Sequence, residues 1–213
     1  MKNESLKAKR DRISRIISLL KKEYPESKCS LEFKSPFQLL VATILSAQCT
    51  DERVNKVTKV LFEKYPDAKS LSCLNEKEIG KLIYSTGFYN NKAKNIKKMS
   101  DLVVGKYSGE IPSRIDLLVE LPGVGRKTAN VVLGNIFNQP ALVVDTHVTR
   151  ITNLLKFVNT KNAVIIEKNL CKVVDSKDWS IFAHLLIDHG RKVCIANRPQ
   201  CHNCILSDLC PSS

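Results

Sequence analysis

The sequence predicts an all-α protein, and three observations lead to this prediction. Apolar residues recur at helical spacing in segment after segment. Serine, threonine, proline and glycine stand at the breaks between these segments, where helices begin and end. The apolar run at 141–144 is short and has no obvious partner strand, so we interpret it as an extended connection. A chain of 213 residues is long enough for one large domain or two small ones.

The first predicted helix carries its apolar residues on one face. These residues are Leu6, Ile13, Ile16, Ile17 and Leu20. The rest of the segment is mainly basic, so one face packs and the other meets solvent.

Ser35 as N-cap and Pro36 at the first helical position open the next helix, which covers 37–47. Thr50 caps the helix after it, and that helix ends before Pro66.

The remaining helices follow from the same signals. They are predicted over 75–84, 91–107, 127–137, 146–156, 163–174 and 180–190. Ser113 and Asp116 approximate a capping box for one further helix, which ends at the break formed by Pro122 and Gly123. The chain contains no internal repeat and no low-complexity linker.

The charge balance points to an anionic partner. Lysine and arginine total 34 against 21 acidic residues, a formal net charge of +13, and such an excess implies fast, salt-sensitive association. A basic protein without such a partner is the alternative on charge alone. No apolar run approaches the roughly 20 residues that a membrane span needs, and no apolar signal core follows the basic N-terminus. We therefore expect a cytoplasmic protein that is neither exported nor bound to a membrane.

A glycine-containing hairpin is the first motif that suggests a function. It reads Leu121-Pro122-Gly123-Val124-Gly125. The two glycines permit a tight connection between helices and let backbone N–H groups approach an anion. The dipole of the following helix makes this a candidate phosphate seat, which holds DNA without reading its bases. A nucleotide-binding P-loop would need glycine where Arg126 stands, and an inert turn remains an alternative.

Lys127 and Asp145 are the candidate catalytic residues. A lysine amine can attack a sugar carbon and form a Schiff base when it is neutral. Asp145 follows a pair of valines, and its carboxylate could accept a proton from the amine and stabilise positive charge that develops on the sugar. On these residues alone, both are equally well interpreted as surface charges.

Four of the eight cysteines cluster near the C-terminus. They are Cys194, Cys201, Cys204 and Cys210, with the spacing C-x6-C-x2-C-x5-C. Four thiolates this close can enclose a tetrahedral zinc ion or a cubane iron–sulfur cluster, and the spacing leaves both open. Disulfides are not expected in a protein that is not exported.

Together these motifs resemble the endonuclease III family of helix-hairpin-helix-Gly/Pro-Asp DNA glycosylases. The hairpin, the loop from Gly134 to Pro140, Asp145 and the cysteine cluster carry the resemblance. It extends to the segments 44–51 and 86–90, and so it covers nearly the whole chain. Asp188 departs from the family pattern, in which an apolar residue is expected there.

The resemblance implies a bifunctional enzyme of base excision repair. Lys127 and Asp145 correspond to the catalytic pair of the family. Lys127 would displace an oxidised pyrimidine that has been extruded from duplex DNA, and β-elimination would then cut the strand 3′ to the abasic site. The closest alternative is a monofunctional adenine or mismatch-thymine glycosylase, which uses water in place of lysine. A non-catalytic DNA-binding module braced by a metal is the alternative from another class.

The resemblance also implies the architecture. A six-helix domain at 29–139 would hold the hairpin, and 1–28 would pack with 140–213 as a discontinuous domain. The four cysteines would hold a [4Fe–4S] cluster in that second domain, and a DNA cleft would lie between the two. The expected partner is double-stranded DNA with damaged pyrimidines or abasic sites, bound by a monomer associated with the nucleoid.

The residues expected to contact DNA come from four parts of the chain. They are Gln48, Phe88, Leu121, Gly123, Val124, Gly125, Arg126 and His147. By resemblance, Gln48 would fill the space that the extruded nucleotide leaves. Phe88 stands where relatives carry an apolar wedge, although an ordinary buried phenylalanine is the alternative. His147 would contact DNA or the sugar, and a structural histidine is the alternative.

Overall fold

All the regular elements in residues 4–213, the part of the chain that the computed structural model describes, are helices. In order they are α1 Leu6–Glu23, α2 Pro36–Leu45, α3 Asp51–Lys64, α4 Ala68–Ser72, α5 Glu76–Ile83, α6 Tyr89–Tyr107, α7 Ile115–Leu118, α8 Arg126–Asn135, α9 Thr146–Leu154, α10 Ala163–Leu170 and α11 Trp179–Lys192. Short 3-10 turns lie at Tyr84–Thr86, Ser176–Asp178, Cys201–Asn203 and Ser207–Leu209. Within the described residues, no helix is both long and apolar enough to cross a membrane. The all-α prediction is confirmed.

The chain divides into two compact units. One is Cys29–Gln139, and the other joins Met1–Lys28 to Pro140–Ser213. The first unit forms around α2, on which every residue after Pro36 is buried. A helix that is apolar on all sides belongs at the centre of a core. Helix α8 packs on α2, while α6 packs against α4 and α5. This unit contains seven α-helices where six were expected, because Ala68–Ser72 forms a short helix of its own, capped by Asp67.

In the second unit, α11 packs against α1 and α9. The apolar face expected on the first helix is buried from Ile13 to Leu20, whereas Leu6 is half exposed. The Arg12 side chain links this helix to other parts of the unit through an ion pair, hydrogen bonds and a ring contact. Its guanidinium pairs with Glu4, donates to the carbonyls of Leu155 and Leu209, and lies 4.1 Å from the ring centroid of Phe157.

Two of the three predicted capping signals located a helix start correctly. Ser35 caps α2 by accepting from the Gln38 N–H, and Thr50 caps α3 by accepting from the Arg53 N–H. These two predictions are confirmed. The capping box predicted from Ser113 and Asp116 is wrong. Helix α7 begins after Arg114 without a side-chain cap, and the Asp116 carboxylate instead accepts two hydrogen bonds from the Arg114 guanidinium.

Candidate functional site

The hairpin between α7 and α8 contains a type II turn. The Val124 N–H donates to the Leu121 carbonyl at 3.0 Å, with Pro122 and Gly123 at the centre. Gly123 has a φ of +80°, as the third residue of such a turn requires. A Cβ at Gly123 would also lie 2.9 Å from the Cβ of Asn95. Both the backbone and the available space therefore require glycine here.

The hairpin residues divide between core and surface. Leu121 and Val124 are buried, so their side chains pack the turn onto the unit and cannot reach a ligand. Gly123, Gly125 and Arg126 are exposed. Of the predicted DNA contacts in this stretch, Leu121 and Val124 are thus limited to their backbone groups.

Gly125 precedes α8 and leaves the start of that helix without a side-chain cap. Helices α2 and α3 differ, since a hydroxyl caps each of them. The φ of Gly125 is −88°, which any residue can adopt, and a Cβ added there would have no heavy atom within 4 Å. The protein itself therefore does not require glycine at this position. The open space is suited to an external anion at the positive end of the helix dipole.

Lys127 is the second residue of α8 and is exposed. Within residues 4–213, its ammonium makes no hydrogen bond and no ion pair. An amine held at a helix start and not engaged by a carboxylate is available to a ligand. The position suits the nucleophile that the sequence predicted.

Gln48 and Phe88 line one depression together with Gly123. Its volume is about 210 Å³, and Asn91 and Asn95 contribute to its wall. The Phe88 side chain is 64% exposed, so the alternative of an ordinary buried phenylalanine is wrong. Both Gln48 and Phe88 have left-handed backbones, with φ values of 53° and 49°. Residues other than glycine seldom adopt this conformation.

Asp145 begins helix α9 as its N-cap. Its Oδ1 accepts from the Val148 N–H at 2.8 Å, which fixes the carboxylate while Oδ2 is left for another partner. His147 lies on the first turn and is partly buried. Burial lowers the pKa of His147, and the Arg150 guanidinium acts in the same direction while Asp145 opposes it.

Helix α11 approaches α9 closely at Gly190. A Cβ at this position would lie 2.6 Å from Nδ1 of His147. In the same region, the Arg150 guanidinium donates to the Gly190 carbonyl at 3.2 Å and to the Cys194 carbonyl at 2.6 Å. Arg150 therefore connects the helix that Asp145 caps to the first residue of the cysteine cluster.

The four C-terminal cysteines line a single cavity of about 60 Å³. Each is a free thiol and each is partly buried. Burial raises the pKa of the Cys194 and Cys204 thiols. Across residues 4–213, no three histidine, cysteine, aspartate or glutamate side chains are grouped as a single metal ion would require.

A buried polar chain leads to this cavity. The Tyr24 hydroxyl lies 3.1 Å from Nδ1 of His189, and Nε2 of His189 lies 3.5 Å from Sγ of Cys204. Burial lowers the pKa of His189 to about 4, so the imidazole is neutral and donates through only one nitrogen. The unexpected Asp188 has a partner nearby, because the Ser27 hydroxyl donates to its Oδ2 at 2.6 Å.

The sequence did not single out two residues that organise these sites. Arg150 carried a signal, because it lies one turn after His147 on the same helix. Lys92 carried none. It lies in a basic helix where lysines ordinarily face solvent, yet it is among the few buried charged residues of the described chain.

The chain is similar to known DNA-repair proteins along most of its length. Residues 41–176 match the family described as HhH-GPD superfamily base excision DNA repair protein. Endonuclease III of Synechocystis sp. is 50% identical over 207 residues, which cover 97% of this chain and 94% of the relative. Endonuclease III of Bacillus subtilis is 47% identical, and the match covers 88% of this chain and 86% of that protein.

Among solved structures, a trapped endonuclease III–DNA covalent intermediate in an estranged-adenine complex superposes with a TM-score of 0.90. It is 44% identical and covers 95% of this chain and 96% of its own. The chain therefore belongs to the endonuclease III family within the HhH-GPD superfamily of base excision DNA repair proteins.

Proposed function

We propose that the protein is a bifunctional DNA glycosylase and abasic-site lyase that removes oxidised pyrimidines from duplex DNA. The observation that carries the proposal is the exposed, unengaged amine of Lys127 at the start of α8. Similarity to a DNA-linked endonuclease III intermediate supports it. The hairpin beside this amine supplies the phosphate seat that would hold one strand near the nucleophile.

The chemistry begins when the neutral Lys127 amine attacks C1′ of the damaged nucleotide. The new C–N bond forms as the bond from C1′ to the base breaks, and the departing base takes a proton from water. Asp145 takes the proton that the amine loses and stabilises the positive charge on the sugar. The C1′–O4′ bond then breaks as the nitrogen lone pair forms a protonated imine, and Asp145 returns its proton to O4′. Loss of a proton from C2′ then expels the 3′ phosphate, and water releases Lys127.

Residues of each unit are proposed to contact DNA. The exposed backbone at Gly123 and Gly125 would hold phosphate, with Arg126 beside it. Gln48 and Phe88 would enter the duplex where the damaged nucleotide leaves. His147 lies two residues after Asp145 and would contact the sugar or its phosphate. The net charge of +13 favours this anionic partner. One copy of the chain suffices for this work, and the cytoplasmic chromosome is its expected location.

The domain assignment follows the two compact units. Residues 29–139 form the helical domain with the hairpin, and 1–28 with 140–213 form the domain that carries the cofactor. We assign a [4Fe–4S] cluster to Cys194, Cys201, Cys204 and Cys210. The donor set fits this cofactor, because a cubane takes one cysteine on each of its four irons and the four cysteines line one cavity. Bound there, the cluster would cross-link the segment that carries these four cysteines and hold it rigid.

Borohydride trapping tests the nucleophile. A labelled duplex with one thymine glycol should be incised, and borohydride should trap a covalent protein–DNA adduct with the wild type. Lys127→Ala should lose the adduct and at least about 1000-fold of incision, as expected when a nucleophile is removed. An equal trapped yield from Lys127→Ala would reject this residue. Release of adenine or thymine from mismatches, without strand incision and without a borohydride adduct, would support the monofunctional alternative.

Asp145→Asn separates catalysis from binding. The amide keeps an oxygen that can accept the Val148 N–H, so α9 should retain its cap. Base release should slow at least about 100-fold, because the amide cannot accept the proton, while duplex affinity changes little. Unchanged turnover would remove Asp145 from the mechanism.

Metal and sulfide analysis tests the cofactor. The purified protein should be brown and contain equal amounts of iron and sulfide, whereas stoichiometric zinc without sulfide would overturn the assignment of the cluster.

A further inference from the structure

Lys92 is a buried lysine in the middle of a basic helix. Its side chain is only 4% exposed, although neighbouring Lys94 and Lys98 on α6 face solvent. The Lys92 ammonium donates to the Leu45 carbonyl at 2.8 Å and to the Thr86 carbonyl at 2.7 Å. Burial lowers the pKa of Lys92, and Cys49 acts in the opposite direction. Removing an ammonium from water is unfavourable, so these two carbonyls provide the compensating bonds.

The two carbonyls come from two separate turns. Leu45 is the last residue of α2, and Gln48 follows three residues later. Thr86 is the last residue of the 3-10 turn Tyr84–Thr86, and Phe88 follows two residues later. One ammonium thus joins the ends of two elements that are distant in sequence. Each element is followed, within three residues, by a non-glycine residue with a left-handed backbone.

These left-handed turns need support from outside their own sequence. Gln48 and Phe88 are not glycines, and each pays a steric penalty for a positive φ. Strained conformations persist where the surrounding structure determines them. Both side chains are largely exposed, so packing of their own side chains is not the main support. Lys92 itself lines the depression that Gln48 and Phe88 share.

We propose that Lys92 is a positioning residue that holds Gln48 and Phe88 at a set spacing, so that both enter the duplex together. This rests on the proposed function, in which these two side chains occupy the gap in the DNA. Lys92 would touch no DNA and take no part in the chemistry at Lys127. A purely structural lysine would stabilise the fold without affecting how the enzyme distinguishes distorted from intact DNA.

The test measures affinity for a duplex with a tetrahydrofuran abasic analogue, divided by affinity for the undamaged duplex. Lys92→Met should lower this ratio about tenfold, the effect of losing a charged hydrogen-bonded anchor. Lys92→Arg keeps a donor for each of the two carbonyls and should retain most of the wild-type ratio. Lys97→Met is the matched control. Lys97 lies on the same helix and donates to the Ser72 carbonyl at 2.9 Å, and its replacement by methionine removes the same charge. It should leave the ratio unchanged.

Epistasis separates positioning from stability. In a chain that already carries Gln48→Ala and Phe88→Ala, Lys92→Met should change the ratio less than about twofold, because residues acting as one unit are not additive. The inference is overturned if Lys92→Met weakens the binding of both duplexes equally. It is also overturned if the effect of Lys92→Met on the ratio persists in the chain that carries Gln48→Ala and Phe88→Ala. If Lys92→Met does not fold, Lys92→Gln replaces it, since the shorter amide reaches at most one carbonyl and should also lower the ratio.

Borohydride trapping, combined with the affinity ratio, keeps the two proposals apart. Wild-type protein that fails to form a borohydride adduct refutes the proposed function, whatever Lys92 does. Wild-type protein that forms the adduct, combined with a Lys92→Met variant of normal ratio, refutes only the positioning role. Adduct yield at saturating abasic DNA should be nearly the same for Lys92→Met and wild type, because Lys127 is untouched.

Discussion

The hairpin and the pair of turns at Gln48 and Phe88 border the same depression but are built differently. At the hairpin, the left-handed position is occupied by Gly123, and the preceding proline presets the turn. At the other two turns, the left-handed positions carry a glutamine and a phenylalanine. The hairpin is thus stable through its own residues. The other turns depend on Lys92, which is distant from Gln48 in sequence.

In the proposed function, the two regions make two kinds of DNA contact, and these place different demands on the chain. A phosphate seat needs only backbone N–H groups, so small residues with local turn preferences can form it. A residue that enters a base stack needs a side chain, and therefore a Cβ, at a position where the backbone disfavours one. The strain must then be balanced by contacts from elsewhere in the fold. Substitutions at the two regions should consequently affect stability in opposite directions.

Gly123→Ala should have the largest effect on stability. The alanine must adopt a φ of +80° with its Cβ 2.9 Å from Asn95, so we expect the protein to lose about 2–3 kcal/mol from backbone strain and overpacking. Urea unfolding followed by circular dichroism measures this. Gly105→Ala is the control, because that Cβ meets nothing within 4 Å on α6 and should raise stability by up to about 1 kcal/mol. A Gly123→Ala protein as stable as wild type would remove the hairpin side of the comparison.

Gln48→Gly should have a smaller effect of the opposite sign. Glycine relieves the positive φ at an exposed position, so we expect a gain of about 0.5–1 kcal/mol together with weaker binding to abasic-analogue DNA. Ser108→Gly is the matched control, since Ser108 is exposed with a φ of 54° at the end of α6. It should give the same gain and leave DNA binding intact. A loss of stability in Gln48→Gly alone would show that the glutamine side chain, rather than Lys92, supports its turn.

Gly125→Ala should have the smallest effect on stability. The backbone is ordinary and the space is open, so unfolding should change by no more than about 0.5 kcal/mol. Duplex affinity should nevertheless fall, because the methyl group occupies the place of a phosphate oxygen. Titration of an undamaged duplex at several salt concentrations checks this. Unaltered affinity would show that phosphate does not approach Gly125, and the hairpin would then be an inert turn.

Much of this protein is recognisable from local sequence. The caps at Ser35 and Thr50 act over three residues, and the proline–glycine turn acts over four, so short-range chemistry determines them. The failed capping box at Ser113 shows the limit of such signals. There, a guanidinium at Arg114 competes for the Asp116 carboxylate, and a pattern of residue types does not show which hydrogen bond forms.

The sequence by itself determined the helical class, the motifs that identify the family, and the positions of Lys127, Asp145 and the four cysteines. Each of these is encoded in residue type and short spacing. Only the tertiary structure decided that Phe88 is exposed, that Leu121 and Val124 face the core, and that one buried ammonium joins two distant turns. The physical reason is that burial and long-range hydrogen bonds depend on which elements pack together. A lysine in a basic helix carries no local mark of the carbonyls it will meet.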